Sequence, residues 1–357
     1  MTDAASPDEV FTGTKPVEER HRLDEASLEA WLKAHVEGYE GPLTVLQFKG
    51  GQSNPTYQLV TPGRTYVLRR KPFGKLLPSA HAVDREFRVI SALHRVGYPV
   101  ARPYGLCTDD GVIGAAFYVM SMVEGRVLWD ATLPQSSPQE RGAIYAAEIA
   151  TLARLHQFNP EELGLGDYGK PGNYFARQVD RWSRQYRASE TATIGEMDRL
   201  IEWLPRTVPP QERISIVHGD YRLDNMIFDA TEPRVVAILD WELSTLGDPL
   251  ADFTYFIMNW AMPRDSRSGL AGVDLPALGI PTMDAAVAQY CVLTGRTSLP
   301  DLDWYFAYNL FRLAAIVQGI AGRVRDGTAA SPRAAEAARR VGPLSQAAWR
   351  YAEKAGV

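Results

Sequence analysis

The period of the apolar positions changes along the chain. From Leu43 the runs LTVLQFK, PTYQLV and TYVLRRK alternate with a period of two, separated by Gly50-Gly51-Gln52-Ser53-Asn54 and by Thr61-Pro62-Gly63-Arg64. This pattern predicts a three-strand meander. From about Ser79 the period lengthens: Val83, Phe87, Ile90 and Leu93 form a helical stripe, and Gly97 stands where a left-handed residue ends a helix. Apolar segments at 103–107 and 115–123 complete an expected antiparallel sheet of about five strands. Upstream, residues 1–24 are polar and turn-rich and read as a mobile arm, and Ser27 is placed to cap a helix with Leu28, Trp31, Leu32 and His35 on one face.

Beyond Glu124-Gly125 the pattern becomes helical. Ser137-Pro138-Gln139-Glu140 is a capping box with proline at the first helical position, and further helical stretches fit 174–188, 284–293, 302–325 and 333–353. A lone hairpin is expected from ISIVHGD, NMIFD and RVVAILD. The fold class is therefore α+β. A small antiparallel lobe with one helix spans 25–123, a hinge follows, and a larger helical lobe spans 124–357. This order resembles a protein-kinase-like fold.

Composition narrows the function. The 357 residues are 45% apolar and 23% charged, ordinary for a globular chain of two lobes. A net charge of −5 excludes the basic excess of nucleic-acid binders. Cys107 and Cys291 have no partner at metal or disulfide spacing, and the start MTDAASPDEV has no secretory pattern. No apolar window is long enough to span a membrane, so a cytoplasmic setting is expected.

The chemistry concentrates in HGDYRLDN at 218–225 and in Asp240 at the end of an apolar strand. Phosphoryl transfer needs a carboxylate to orient a hydroxyl and accept its proton, and oxygen ligands for the metal on the phosphates. Asp220 suits the first role as the catalytic residue; Asn225 and Asp240 suit the second, with Mg2+ as the metal. Any of these alone could cap a turn. His218 reads as a loop brace. Gly164-Leu165-Gly166-Asp167-Tyr168-Gly169 fits a dinucleotide fingerprint, but no strand precedes it, so it reads as a loop.

Together these residues resemble the aminoglycoside phosphotransferase and choline kinase family, whose loop reads HGDxxxxN, and ILDWELSTLGDPLADF resembles its metal-binding segment. The resemblance runs from about Leu43 to Arg325 and implies ATP as phosphate donor. Gly50, Gly51, Ser53 and Asn54 then form the turn over the phosphates, and Arg69 stands where kinases carry a strand lysine, with Lys71 as the alternative. Glu86 is the matching helix carboxylate. Met120 and Met122 belong to the hinge that flanks adenine, while Asp248 and Asp252 resemble residues that brace the loop and open a helix.

The acceptor is expected to be a small molecule bearing a hydroxyl. Residues 253–357 hold eleven Lys and Arg against eight Asp and Glu, among them Arg264, Arg267, Arg296, Arg312, Arg323 and Arg325, which favours an anionic acceptor over a cationic antibiotic. YVLRRKPFGKLLPSAHAVDREFRVI and GNYFARQVDRW look closest to the kinase-like domain fused to acyl-CoA dehydrogenases. That resemblance implies a hydroxyacyl-CoA acceptor and a functional link to an acyl-CoA dehydrogenase. Tyr174, Tyr255, Trp260, Trp304 and Tyr305 could line an acyl cleft or simply form core. The alternatives are an aminoglycoside, choline or other alcohol kinase, and a nucleotide-binding pseudokinase, the latter suggested by Arg69 in place of lysine.

Overall fold

Alternation at period two becomes a sheet in the first third of the chain. The computed structural model describes residues 13–49, 54–73, 82–264, 268–327 and 334–357. The small lobe contains β1 (Thr14–Lys15), α1 (Glu25–His35), β2 (Thr44–Phe48), β3 (Thr56–Val60), β4 (Thr65–Arg70), α2 (Val83–Arg95), β5 (Pro103–Cys107) and β6 (Phe117–Ser121). The six strands pair antiparallel in the order β1-β2-β3-β4-β6-β5. The extra strand is β1, which pairs Thr14 with Phe48 and ties part of the expected arm to the sheet edge. Helix α1 is capped by Asp24 rather than Ser27: the Asp24 carboxylate accepts the Ser27 N–H at 3.0 Å.

The two faces of the sheet bury different partners. Tyr57, Leu59, Leu68, Phe117 and Val119 pack on Leu28 and Leu32 of α1. Each of those two leucines is fully buried and contributes about 2 kcal/mol of transfer free energy. On the other face Tyr118 joins Val89, Ile90 and Leu93 of α2, and that cluster runs on into the core of the larger lobe. Helix α2 therefore belongs to the small lobe in sequence and to the large core in packing. Gly97 ends its turn in the left-handed region, with φ of 66°, as its position suggests.

The larger lobe holds α3 (Pro138–Gln157), α4 (Tyr174–Ser189), α5 (Gly195–Trp203), β7 (Ser215–Val217), β8 (Met226–Phe228), β9 (Val235–Ile238) and β10 (Thr245–Gly247). It continues with α6 (Leu250–Ile257), α7 (Leu275–Leu278), α8 (Met283–Thr294), α9 (Asp303–Arg325), α10 (Ala334–Ala338) and α11 (Val341–Lys354). Ser137 caps α3 by accepting the Glu140 N–H at 3.2 Å, and the Glu140 carboxylate accepts in return from the Ser137 backbone while also meeting Arg126 at 2.8 Å, so the capping box forms. Helix α9 is buried along most of its length and packs on α4 and α11. The expected lone hairpin is instead two ladders. Strands β8 and β9 form the hairpin, whereas β7 pairs with β10, Val217 opposite Thr245. The segment 218–225 is thus held by one ladder at its start and by the other at its end. Among the described residues, no helix is long and apolar enough to cross a membrane.

Candidate active site

The loop after β7 is fixed from beneath by one buried carboxylate. Asp252 on α6 accepts the His218 and Gly219 amide N–H groups at 2.6 and 2.8 Å, and His156 Nε2 lies 3.6 Å away. Burial works to raise the Asp252 pKa, but His156 and the loop outweigh it and hold the carboxyl below its ordinary range. His218 Nε2 faces the Leu239 carbonyl at 2.8 Å and Nδ1 faces the Asp220 N–H at 3.2 Å. A carbonyl only accepts and an amide N–H only donates, so the ring proton sits on Nε2. His218 braces two backbone segments. Gly219 adopts φ of 87°, and a Cβ there would sit 2.7 Å from the Leu243 carbonyl oxygen, so only glycine passes without displacing backbone. Its own carbonyl accepts from Arg312.

At the tip, three groups hold Asp220. Asn225 Nδ2 donates to the Asp220 carbonyl at 2.9 Å and to its Oδ2 at 3.0 Å. Both partners are acceptors, which fixes the amide with its nitrogen toward Asp220 and its oxygen turned away. Arg222 Nε lies 3.1 Å from Asp220 Oδ1, and its terminal nitrogen lies 3.0 Å from Asp224. The Tyr255 hydroxyl bonds the same carboxylate, and burial followed by the Asp220 charge pushes that phenol up.

Across the cleft, Arg69 joins three carboxylates. Its Nε lies 2.9 Å from Glu86, and one terminal nitrogen lies 2.6 Å from Asp240 and 3.4 Å from Glu242. Glu86 also accepts from Asn54 at 2.8 Å and from the Tyr118 hydroxyl at 3.1 Å. Burial, aided by Asp240 and Glu242 against the pull of Arg69, pushes Glu86 up to about 7. Asp240 is in the left-handed region, φ 63°, a conformation costly for a residue with a side chain and one that turns its carboxylate out of line with β9. Lys71, the alternative basic residue, lies 3.8 Å from Asp84 instead, so Arg69 is the residue that meets Glu86.

The structure thus groups Asn54, Arg69, Glu86 and Asp240 on one side and Asp220 with Asn225 on the other. Gly50, Gly51 and Ser53 lie outside the described residues. Met120 packs at the edge of the large core, and the Met122 N–H donates to the Thr65 carbonyl at 3.3 Å. Asp248 accepts the Leu250 N–H at 2.9 Å and so opens α6. The 164–169 segment is a run of turns, as expected.

The basic excess of the last hundred residues does not converge on Asp220. Arg312 is buried under the loop, Arg296 pairs with Glu212, Arg325 pairs with Asp326, and Arg267 lies outside the described residues. Of the aromatics weighed as acyl contacts, Trp304 and Tyr305 pack in the core on Phe175, both at 5.3 Å between ring centres, while Tyr255 reaches the loop. Sequence reasoning passed over Arg222, Glu242 and His156, and weighed Tyr255 only as an acyl contact or core residue. Arg222 and Glu242 each lie two residues beyond a singled-out aspartate, and that proximity was the signal available.

This arrangement places a carboxylate at a braced loop tip and, where the two lobes meet, a cation held by carboxylates of both. Comparison with known proteins agrees. The sequence pattern of the phosphotransferase enzyme family matches residues 44–288. A crystal structure from Ralstonia eutropha, provisionally named an aminoglycoside phosphotransferase, is 52% identical, covers 93% of this chain and 99% of its own, and superposes with a TM-score of 0.86. Mouse acyl-CoA dehydrogenase family member 10 is 42% identical over 96% of this chain and 32% of its own length. Human acyl-CoA dehydrogenase family member 11 is 42% identical over 92% of this chain and 43% of its own. The chain thus spans less than half the length of these curated relatives. An aminoglycoside phosphotransferase crystallised with AMP-PNP and hygromycin B, 14% identical with a TM-score of 0.59 over 93% of this chain and all of its own, shares the fold. The two-lobe kinase-like fold and the family resemblance read from the loop therefore hold, and the chain belongs to the phosphotransferase enzyme family as a small-molecule kinase.

Proposed function

We propose that the chain transfers the γ-phosphoryl group of ATP to a hydroxyl on the acyl chain of a hydroxyacyl-CoA. The observation that carries the transfer is the Asp220 carboxylate, aimed by Asn225, Arg222 and Tyr255 from a loop that Asp252 and Arg312 hold rigid. Asp220 orients the acceptor hydroxyl and takes its proton as the oxygen bonds to phosphorus and the bond to the ADP oxygen breaks. Arg69, positioned by Glu86, meets the phosphates together with Asn54, and Gly50, Gly51 and Ser53, which lie outside the described residues, are proposed to contact the same phosphates. Met120 and Met122 flank the adenine.

Asn225 and Asp240 would hold Mg2+. Both offer hard oxygens, and Asp240 already accommodates a cation, the Arg69 guanidinium at 2.6 Å. When bound, the metal neutralises charge on the phosphates. The acyl-CoA acceptor is supported by the names of the relatives that carry the matching segment as part of a longer chain. On this reading the protein works in the cytoplasm, on molecules shared with an acyl-CoA dehydrogenase.

The test is incubation with ATP, Mg2+ and a 4-hydroxyacyl-CoA, followed by mass spectrometry of the acyl chain, with choline and an aminoglycoside in parallel. Phosphate on the hydroxyacyl group is the expected product. Turnover of the aminoglycoside alone, the reading favoured by the name of the Ralstonia structure, would overturn the acceptor. Nucleotide bound but never consumed with any alcohol would point to a pseudokinase and sink the whole proposal.

A further inference from the structure

The catalytic loop has a second side. A cavity of about 370 Å³ opens there, walled by α3, by residues 129–131 after the hinge, and by residues 222–224 of the loop itself. That volume is at the small end of sites that enclose organic ligands. Its wall carries a group that packing does not require. Glu148 of α3 is fully buried and lines the cavity, and neither of its carboxyl oxygens has a hydrogen-bond partner. A buried polar group left unsatisfied costs stability, and an apolar residue would pack better in its place. Burial pushes this carboxyl well above its ordinary range, which favours the protonated form, a hydrogen-bond donor.

The rest of the cavity defines what would fit. The Glu148 backbone carbonyl accepts the Tyr221 hydroxyl at 2.7 Å, which ties this turn of α3 to the residue next to Asp220. Tyr145, also on the wall, uses its hydroxyl on the Ala131 carbonyl at 2.5 Å. Leu223 and Phe256 supply apolar wall. Arg222 lines the cavity beside the loop, and Arg340, which is exposed, stands at the outer end. The cavity therefore combines a buried carboxyl, a wall of mixed polar and apolar surface that includes Asn259 and Ser268, and an exposed cation.

We propose that this cavity is the acceptor pocket and that the Glu148 carboxyl group donates a hydrogen bond to an uncharged carbonyl of the acceptor, while Arg340 meets an anionic group of the same molecule. The inference rests on the phosphotransfer reading above and adds which chemistry the pocket recognises. A thioester or amide carbonyl on a phosphate-bearing carrier meets both requirements. A polycationic amino sugar meets neither, because Asp224, the other acid on the wall, is already paired with Arg222.

The test uses the full chain and the variants E148L, E148Q and R340A, with KM for a 4-hydroxyacyl-CoA, KM for ATP and melting temperature as readouts. In E148L the acceptor KM rises ~10-fold while KM for ATP stays put and the melting temperature does not fall, because only a ground-state contact to the acceptor is lost. E148Q keeps a donor and stays within ~3-fold of wild type. R340A, a surface change, raises the acceptor KM by ~3-fold or more. An unchanged acceptor KM in E148L overturns the pocket; E148Q as impaired as E148L overturns the donor role and points to a carboxylate holding a cation. If wild type phosphorylates a different alcohol, the acyl-CoA reading fails, but the same variants assayed with that alcohol still decide the pocket. If no alcohol is phosphorylated, calorimetric titration of wild type and E148L with the 4-hydroxyacyl-CoA decides it, and equal affinities overturn the inference.

Discussion

The two sides of the cleft handle buried charge in opposite ways. Where the lobes meet, Arg69 of the small lobe is matched by its neighbour Glu86 and by Asp240 and Glu242 of the larger lobe, and Glu86 is further bonded by Asn54 and Tyr118. On the far side of the loop, Glu148 lies in a cavity with no partner for either oxygen. A saturated cluster is rigid and holds its geometry before any ligand arrives, whereas an unsatisfied group is completed by one. On the proposed reading, the saturated side serves the nucleotide and the unsatisfied side serves the acceptor. The comparison sharpens when the loop between them is altered. Asp220→Asn removes the proton acceptor yet leaves both sides intact, so kcat should fall on the order of 10³-fold with nucleotide affinity nearly unchanged. A kcat within tenfold of wild type, measured by ADP release, would remove Asp220 from the chemistry.

The next largest effect should fall on stability. Arg69→Ala leaves Glu86, whose side chain is 2% exposed, facing Asp240 and Glu242 without their cation. Breaking a buried ion pair from one side costs roughly 3 kcal/mol, and Arg69→Met with Glu86→Met should recover most of it. Urea denaturation of the three proteins measures this. A single-variant cost below about 1 kcal/mol would mean that the cluster is hydrated rather than saturated. Gly219→Ala should cost less, about 2 kcal/mol from the left-handed backbone and the approach to Leu243, with a larger loss of kcat because Asp220 moves with the loop. Thermal melting and kcat measured together check it, and an alanine variant as stable and active as wild type would show that the loop can relax.

How much of this was legible in the sequence depends on the range of each interaction. The meander, α2 and the 218–225 loop were legible because period and motif spacing are local properties. Strand β1 was not, since two polar residues at a sheet edge carry no hydropathy signature. The β7–β10 ladder was missed for a different reason: it joins segments separated by the β8–β9 hairpin, and the local pattern favoured ISIV as part of that hairpin. Residues 333–353 read as one helix, but α10 ends as the Arg339 and Arg340 N–H groups turn back onto the Glu336 and Ala337 carbonyls, and α11 starts afresh. Charge counting over the last hundred residues carries no direction: Arg296 and Arg325 pair with Glu212 and Asp326, whereas Arg312 donates to the loop. Glu148 did leave a trace. It shares a helical face with Tyr145, Ile149 and Leu152, all buried, so a glutamate stood within an apolar stripe.

The smallest expected effect concerns that glutamate, and pH isolates it. The charged and titratable groups around the cavity are Tyr145, Arg222, Asp224 and Arg340. Burial holds the Glu148 pKa well above the ordinary 4.5 in the folded chain, so between 4.5 and that raised value the folded state keeps a proton that the unfolded state has released. Its contribution to stability is therefore complete below about pH 4.5 and is lost as pH rises. Glu148→Gln cannot titrate and lacks this loss. The variant should gain steadily on wild type as pH rises from 5 to 8. Other acids with raised pKa, Glu86, Asp248 and Asp303, titrate in both proteins and cancel in the difference. Urea denaturation at intervals across that range measures the gap. A difference flat with pH would mean that Glu148 is ionised in the folded chain, and the contrast between the two sides of the cleft would then collapse into two clusters of paired charge.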